Sequence, residues 1–194
     1  LSGIRGVAFR DENKGRDIVH TGWRELMDLS KVPFAYSNLT EFKNRIIYYE
    51  SSRGCPFSCS YCLSSIDKKL RFRDIELVKK ELQFFIDNKV PQVKFVDRTF
   101  NCKHDHAMEI WRYITEHDNG ITNFHFEISA DLLRAEELAL MKTMRPGLIQ
   151  LEIGVQSTNP QTIKAIRRTM DFEKLKGIVE QIHSFGNIHQ HLDL

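Results

Sequence analysis

The chain has 194 residues, 41% of them hydrophobic and 28% charged, a profile that suits one globular domain with a substantial core and is too short for two. Its 28 basic and 26 acidic side chains leave a formal charge of +2, which excludes a field strong enough to name nucleic acid or a bilayer surface as partner. No apolar run nears the roughly 18 to 20 residues that span a membrane, and no basic stretch leads into an apolar one at the N-terminus, so the protein is expected in the cytoplasm.

The chain begins at Leu1 rather than Met, and Leu194 falls inside an alternating apolar run with no turn signal after it, so it reads as cut at both ends. Residues 4–9 and 17–20 flank the turn-rich stretch Asp11-Glu12-Asn13-Lys14-Gly15, which suits a small β-ribbon. Residues 29–36, with Pro33, read as an extended linker. We therefore divide the chain into a ribbon and linker over 1–44, following an upstream domain that is missing, and a main domain over 45–194, truncated at its C-terminus.

From Arg45 onward, strand-length apolar runs alternate with segments of helical period, the pattern of βα units and a parallel sheet. Strands are expected at 46–50, 92–97, 123–129, 148–155 and 188–194. Helices are expected at 74–88, 105–117, 135–144, 159–169 and 172–185, where apolar stripes recur. Asn159-Pro160 makes a good helix start and Gly186 a good stop. The fold class is α/β: a partial (β/α)6 TIM-like barrel with its first five βα units present. In such folds the chemistry gathers at the carboxyl ends of the strands. Phe84, Phe85, Phe95 and Phe100 fall at strand or helix spacing and are expected in the core.

Three of the four cysteines lie within eight residues, too crowded for a disulfide framework and typical of metal ligation in a reducing compartment. They form the C-x3-C-x2-C run Cys55-Pro56-Phe57-Ser58-Cys59-Ser60-Tyr61-Cys62, in the loop after the first barrel strand. Three soft thiolates on a short loop can face one centre and select an iron-sulfur cluster, zinc or copper(I). A four-iron cube held by three cysteines keeps one iron free, as a catalytic site requires. The alternative is a closed site, either zinc or an electron-transfer cluster, with Cys102, His104 or His106 as fourth ligand. Most zinc modules pair two C-x2-C knuckles, and a second is absent here. Cys102 is expected to be an ordinary thiol.

The C-x3-C-x-aromatic-C spacing, with Tyr61 as the aromatic, resembles the signature of the radical S-adenosylmethionine superfamily, and the resemblance extends over about 45–194. It implies a [4Fe-4S] cluster on Cys55, Cys59 and Cys62, with the methionyl amino and carboxylate groups of S-adenosylmethionine on the free iron. Reductive cleavage of the sulfonium would then give a 5′-deoxyadenosyl radical, with an electron donor such as flavodoxin or ferredoxin and a small-molecule substrate as partners. The cofactor carries the hard chemistry and the protein orients it.

Further positions follow from the same resemblance. Val96-Asp97-Arg98-Thr99 departs from the Gly-Gly-Glu stretch that contacts the amino group in many members, which leaves Asp97 and Thr99 as candidates there and Arg98 facing cofactor or substrate. Glu127 matches an acidic position that lies at the cofactor in oxygen-independent coproporphyrinogen oxidases; among apolar neighbours it would need a partner, and a structural ion pair is its other reading. Gln156, Arg168 and Asp193 are spaced like that group's cofactor-binding glutamine, arginine and aspartate. Arg168 would meet the methionyl carboxylate and Asp193 the ribose hydroxyls, as their donor and acceptor chemistry allows. The other readings of Arg168 are a solvated charge on a helix or replacement by Arg167. His191 shares strand parity with Asp193.

The N-terminal segment Ile4-Arg5-Gly6-Val7-Ala8-Phe9-Arg10, with Ile18-Val19 and Val32-Pro33-Phe34, is similar to the connector after a cobalamin-binding domain in Mg-protoporphyrin IX monomethyl ester oxidative cyclase-like proteins. That implies cobalamin-linked methylation or oxidative cyclisation, with cobalamin carried by a domain outside this chain. An RNA-modifying methylthiotransferase would need a second cluster or a nucleic-acid platform, so nucleic acid is not expected as a partner.

Overall fold

The computed structural model describes residues 1–12 and 15–194; Asn13 and Lys14, in the turn expected at 11–15, lie outside the described residues. Strands β1 (Ala8–Asp11) and β2 (Asp17–His20) pair antiparallel, with Phe9 opposite Val19. The first strand starts later than the apolar run suggests. Gly6 takes φ +77° and donates its N–H to Gly22 O at 2.8 Å, so the chain before Ala8 is turn.

The expected extended linker is partly folded. Asp28 caps a single 3-10 turn at Leu29–Lys31 by accepting from Ser30 N at 2.9 Å, and Leu29 is buried. Phe34 then packs edge-on against Phe84 at 5.3 Å, and Tyr36 against Phe42 at 5.2 Å. Aromatic packing thus holds the linker on the domain, where sequence punctuation showed only Pro33.

Strand β3 (Ile47–Tyr49) leads directly into a short antiparallel hairpin, β4 (Ser52–Arg53) with β5 (Arg71–Phe72), that the sequence did not signal. The cysteine loop hangs between its two strands. Arg73, just after the hairpin, donates from Nε and Nη2 to the Glu81 carboxylate at 2.9 and 2.5 Å, and Tyr49 Oη donates to the same carboxylate at 2.6 Å. Both charged side chains are 8% exposed, so this bidentate pair is an internal rivet.

Glu81 belongs to α1 (Ile75–Asp87), whose N-terminus is capped by Asp74. Then follow β6 (Gln92–Phe95), α2 (His104–Glu116), β7 (Asn123–Ile128), α3 (Ala135–Thr143), β8 (Ile149–Gly154), α4 (Pro160–Ala165), α5 (Phe172–Phe185) and β9 (His189–Asp193). β3, β6, β7, β8 and β9 form one parallel sheet in chain order, the five-strand arc of a partial barrel.

Strand alternation gives this sheet two unlike faces. Val93, Phe95, Phe124, Phe126, Ile149, Leu151 and Ile153 form one, buried against Val78, Leu82 and Phe85 of α1 and Ile110 and Trp111 of α2. Phe126 is fully buried, its ring 4.5 Å from Phe95 and 4.3 Å from Phe100. The opposite face is polar. In register it carries Lys94, His125 and Gln150 in one row, Glu127, Glu152 and His191 in the next, then Gly154 and Asp193.

Candidate functional site

The cysteine loop is shaped by its backbone. Gly54 takes φ +98°, and a Cβ there would sit 2.6 Å from the Lys69 carbonyl oxygen, so only glycine lets the two strands of the loop approach. Cys55 N donates to Asp67 O at 3.0 Å and Cys62 N to Cys59 O at 3.2 Å, which curl the loop back on itself. Ser60 N reaches across to Ile166 O, the capping residue of α4, at 2.8 Å. Cys55 and Cys59 are buried and Cys62 half-buried; Cys55 Sγ stands 3.6 Å from Thr99 Oγ1.

Beside this loop a cleft of about 200 Å³ opens at the carboxyl ends of the strands. Tyr61, Cys62, Thr99, Glu127, Gln156, Arg168 and Asp193 all line it, together with Arg98, Glu152 and Gly154. Residues from the cysteine loop and from four strand ends therefore meet at one place.

Arg168 reaches the cleft because α4 is shorter than its apolar stripe suggests. The helix expected to run to Thr169 ends at Ala165, and Arg167 takes φ +54°. That left-handed turn leaves Arg167 exposed and swings Arg168 inward. Arg168 Nη2 donates to Gly154 O at 2.5 Å and Nη1 to Tyr61 Oη at 3.4 Å, while its buried Nε has no partner. Gly154 makes room for this: a Cβ there would lie 3.3 Å from Arg168 Nη2 and 2.9 Å from Gln156 Nε2. Gln156 itself takes φ +68°, an uncommon backbone for a side chain of its size.

Asp193 lies opposite Gly154 in register, and its carbonyl accepts from both Val155 N and Gln156 N at 2.8 Å. Its carboxylate faces His191 Nε2 at 3.1 Å, which places the two on the same face. Glu127 has a partner, Lys94, whose Nζ lies 3.8 Å from it and 2.9 Å from Glu152. His125 Nε2 also approaches Glu152, at 3.0 Å. Burial holds the Glu127 carboxyl above its usual range, with the charge of Glu152 adding to the effect. Lys94 and Glu152 were not anticipated. The signal was there, because Glu152 shares parity with Gly154 and Lys94 with Arg98, both at the cleft.

One expected site residue is elsewhere. Asp97 is fully buried and turned away from the cleft, its oxygens taken by Ser51 and Ser52. Burial raises its carboxyl to about 6, which the hydrogen bonds from Ser52 and Ser51 only partly offset. The histidines considered as a fourth metal ligand are engaged too: His104 lies 3.0 Å from Glu137, and His106 contacts Ser51. Burial pushes the Cys102 thiol up to about 11.

The donor chemistry fits a cluster: three cysteines on one loop, two of them buried, beside a cleft lined by the guanidinium-bearing side chain of Arg168. Among the described residues no three His, Cys, Asp or Glu side chains converge on one metal-ion position; a cube, taken at a separate corner by each thiolate, calls for spaced sulfurs.

Residues 49–191 match the sequence profile of the Radical SAM superfamily, and the chain belongs to that superfamily. It is 22% identical over 193 residues to "Uncharacterized methyltransferase PH0819" of Pyrococcus horikoshii, covering 96% of this chain and 41% of that protein. It is 24% identical over 181 residues to the anaerobic magnesium-protoporphyrin IX monomethyl ester cyclase of Synechocystis sp., covering 87% of this chain and 35% of that one. The chain therefore spans less than half the length of these curated relatives. Among solved structures, the cobalamin-dependent S-adenosylmethionine radical enzyme OxsB with aqua-cobalamin bound shares the fold: TM-score 0.76 at 19% identity, over 99% of this chain and 29% of that one. The family's cofactors are a [4Fe-4S] cluster and S-adenosylmethionine, and Cys55, Cys59 and Cys62 are free cysteines. No helix among the described residues is long and apolar enough to cross a membrane.

Proposed function

We propose that this chain is the core of a radical enzyme that cleaves S-adenosylmethionine reductively and removes a hydrogen atom from a small-molecule substrate. The observation that carries this reading is the convergence of Tyr61, Cys62, Thr99, Glu127, Gln156, Arg168 and Asp193 on one cleft at the strand ends. When bound, the cluster supplies the electron that breaks the sulfonium bond.

The chain's own residues bind and orient. Arg168, already held by Gly154 O through Nη2, offers its guanidinium charge to the methionyl carboxylate, an anion that suits it. Asp193 accepts from ribose hydroxyls, and Glu127 stands by the amino end with Lys94 behind it. Tyr61 and Phe57 at the rim limit the entry of water.

Methylation linked to cobalamin is the favoured outcome, with oxidative cyclisation as the alternative. The relative matched over nearly the whole chain is called a methyltransferase, and the cobalamin-bound neighbour has the same fold. Cobalamin would be carried by a segment outside this chain. A reducing cytoplasm and an electron donor such as flavodoxin or ferredoxin suit the exposed edge of the cysteine loop.

Anaerobic reconstitution with iron and sulfide, then reduction and a search for 5′-deoxyadenosine, tests the proposal. A cluster whose paramagnetic spectrum ignores S-adenosylmethionine, with no 5′-deoxyadenosine formed, would instead favour a saturated electron-transfer or zinc site.

A further inference from the structure

On the side of the cysteine loop away from the cleft lies a buried polar cluster that the proposed chemistry does not use. Asp97 stands beyond the end of β6 with no exposed surface. Its Oδ2 accepts from Ser51 N at 3.0 Å, and its Oδ1 accepts from Ser51 Oγ at 2.7 Å and Ser52 Oγ at 2.5 Å. Ser51 follows β3 and Ser52 opens β4, so one carboxylate grips the point where the chain leaves the barrel for the loop.

The return point is held from the same centre. Ser51 O accepts from Arg73 N at 2.8 Å, just past β5. Ser51 Oγ lies 3.0 Å from His106 Nε2 of α2, and since that hydroxyl donates to Asp97, the histidine donates to it. The His106 ring meets Phe72 of β5 edge-on at 5.0 Å, and Lys103 Nζ stands 4.8 Å from the centre of the Phe72 ring. Three hydrogens converge on the Asp97 carboxylate; an amide there would turn a donor against one of them.

The charge also has a neighbour. Burial chiefly raises the Cys102 thiol, and the charge of Asp97 adds to the effect. Thr99, two residues on, approaches Cys55 Sγ.

We propose that Asp97 is the positioning residue of the cysteine loop: it anchors the departing end directly and the returning end through Ser51, whose carbonyl holds Arg73, and it sets a buried negative charge two residues from Thr99, which approaches Cys55. This rests on reading the loop as a cluster site, and the test separates the two. In the intact chain before reconstitution, Asp97→Asn should speed amide hydrogen exchange at residues 52–54 and 71–73 about tenfold, as loss of a buried hydrogen bond predicts. After reconstitution it should retain less iron, and the midpoint potential of the remaining cluster should shift positive, because a nearby anion disfavours the reduced state.

Ser52→Ala loses one bond and keeps the charge. It should speed exchange at 52–54 without moving the potential, and it carries the test if Asp97→Asn does not fold. Unchanged exchange in both variants would overturn the anchor, and an unshifted potential in Asp97→Asn would overturn the charge. Wild type that shows protected amides at 52–54 yet takes up no cluster would sink the cluster reading and leave the anchor standing.

Discussion

Arg168 donates from Nη2 to the carbonyl oxygen of Gly154 across 2.5 Å, joining the end of β8 to the turn after α4. The contact fixes the guanidinium at the cleft before any ligand arrives, so little conformational entropy remains to be lost on binding. Arg168→Lys keeps a charge but loses the planar fork. Affinity for S-adenosylmethionine in the reconstituted protein should fall about 10- to 100-fold, the worth of one charge-assisted hydrogen bond, as read by equilibrium dialysis. An unchanged affinity would remove Arg168 from the site.

Gly54→Ala should damage the loop whichever metal it holds. The new Cβ would meet backbone, Lys69 O, at a distance no rotamer can relieve, and at φ +98°. We expect a loss of about 1–3 kcal/mol in thermal or chemical unfolding, with lower iron uptake. Wild-type stability in this variant would mean that the loop does not take this path.

The Arg73–Glu81 pair predicts an asymmetry. Arg73→Met alone strands a carboxylate that is 8% exposed and should cost about 3–5 kcal/mol. The double variant Arg73→Met with Glu81→Leu should recover much of that, and denaturant titration of all four members of the cycle measures the coupling. Equal losses in single and double variants would show that packing, not charge pairing, carries the contact.

Two buried groups should give opposed pH dependences. Burial raises Asp97 to about 6, so its folded form holds a proton the unfolded chain has lost, and stability falls as pH rises from about 4 to about 6. Burial, with help from Lys103, lowers His106 to about 4, so its unfolded form holds the extra proton and stability rises over about pH 4 to 6.5. The two slopes largely cancel in the wild type. Asp97→Asn should uncover the rising limb and His106→Phe the falling one in unfolding free energies measured between pH 4 and 7. A flat profile in both variants would contradict the burial of the pair.

The sheet was readable because its signal is local: apolar runs of strand length, the first four each followed by a helical stripe, mark all five strands within a residue or two. The hairpin of Ser52–Arg53 with Arg71–Phe72 was not, since two-residue strands carry no periodicity and pair across the whole cysteine loop. Arg168 was singled out by spacing, but its route to the cleft depends on the left-handed Arg167, a conformation no propensity scale assigns to arginine. That Asp97 lies outside the cleft was not legible, because sequence parity does not show which polar neighbours will fold over a strand end. Glu127 drew notice alone, whereas its ion pair with Lys94 is a cross-strand relationship that appears only once the register is known.

The polar face of the sheet has a mechanical consequence. Closed barrels of this type are usually filled by layers of branched aliphatic side chains. Here the corresponding positions carry Lys94, His125, Glu127, Glu152 and His191, and nearly all of the apolar cohesion lies between the sheet and its helices. The arc behaves like a gutter braced from outside: solute can be exchanged within the hollow without disturbing the masonry that keeps the walls upright.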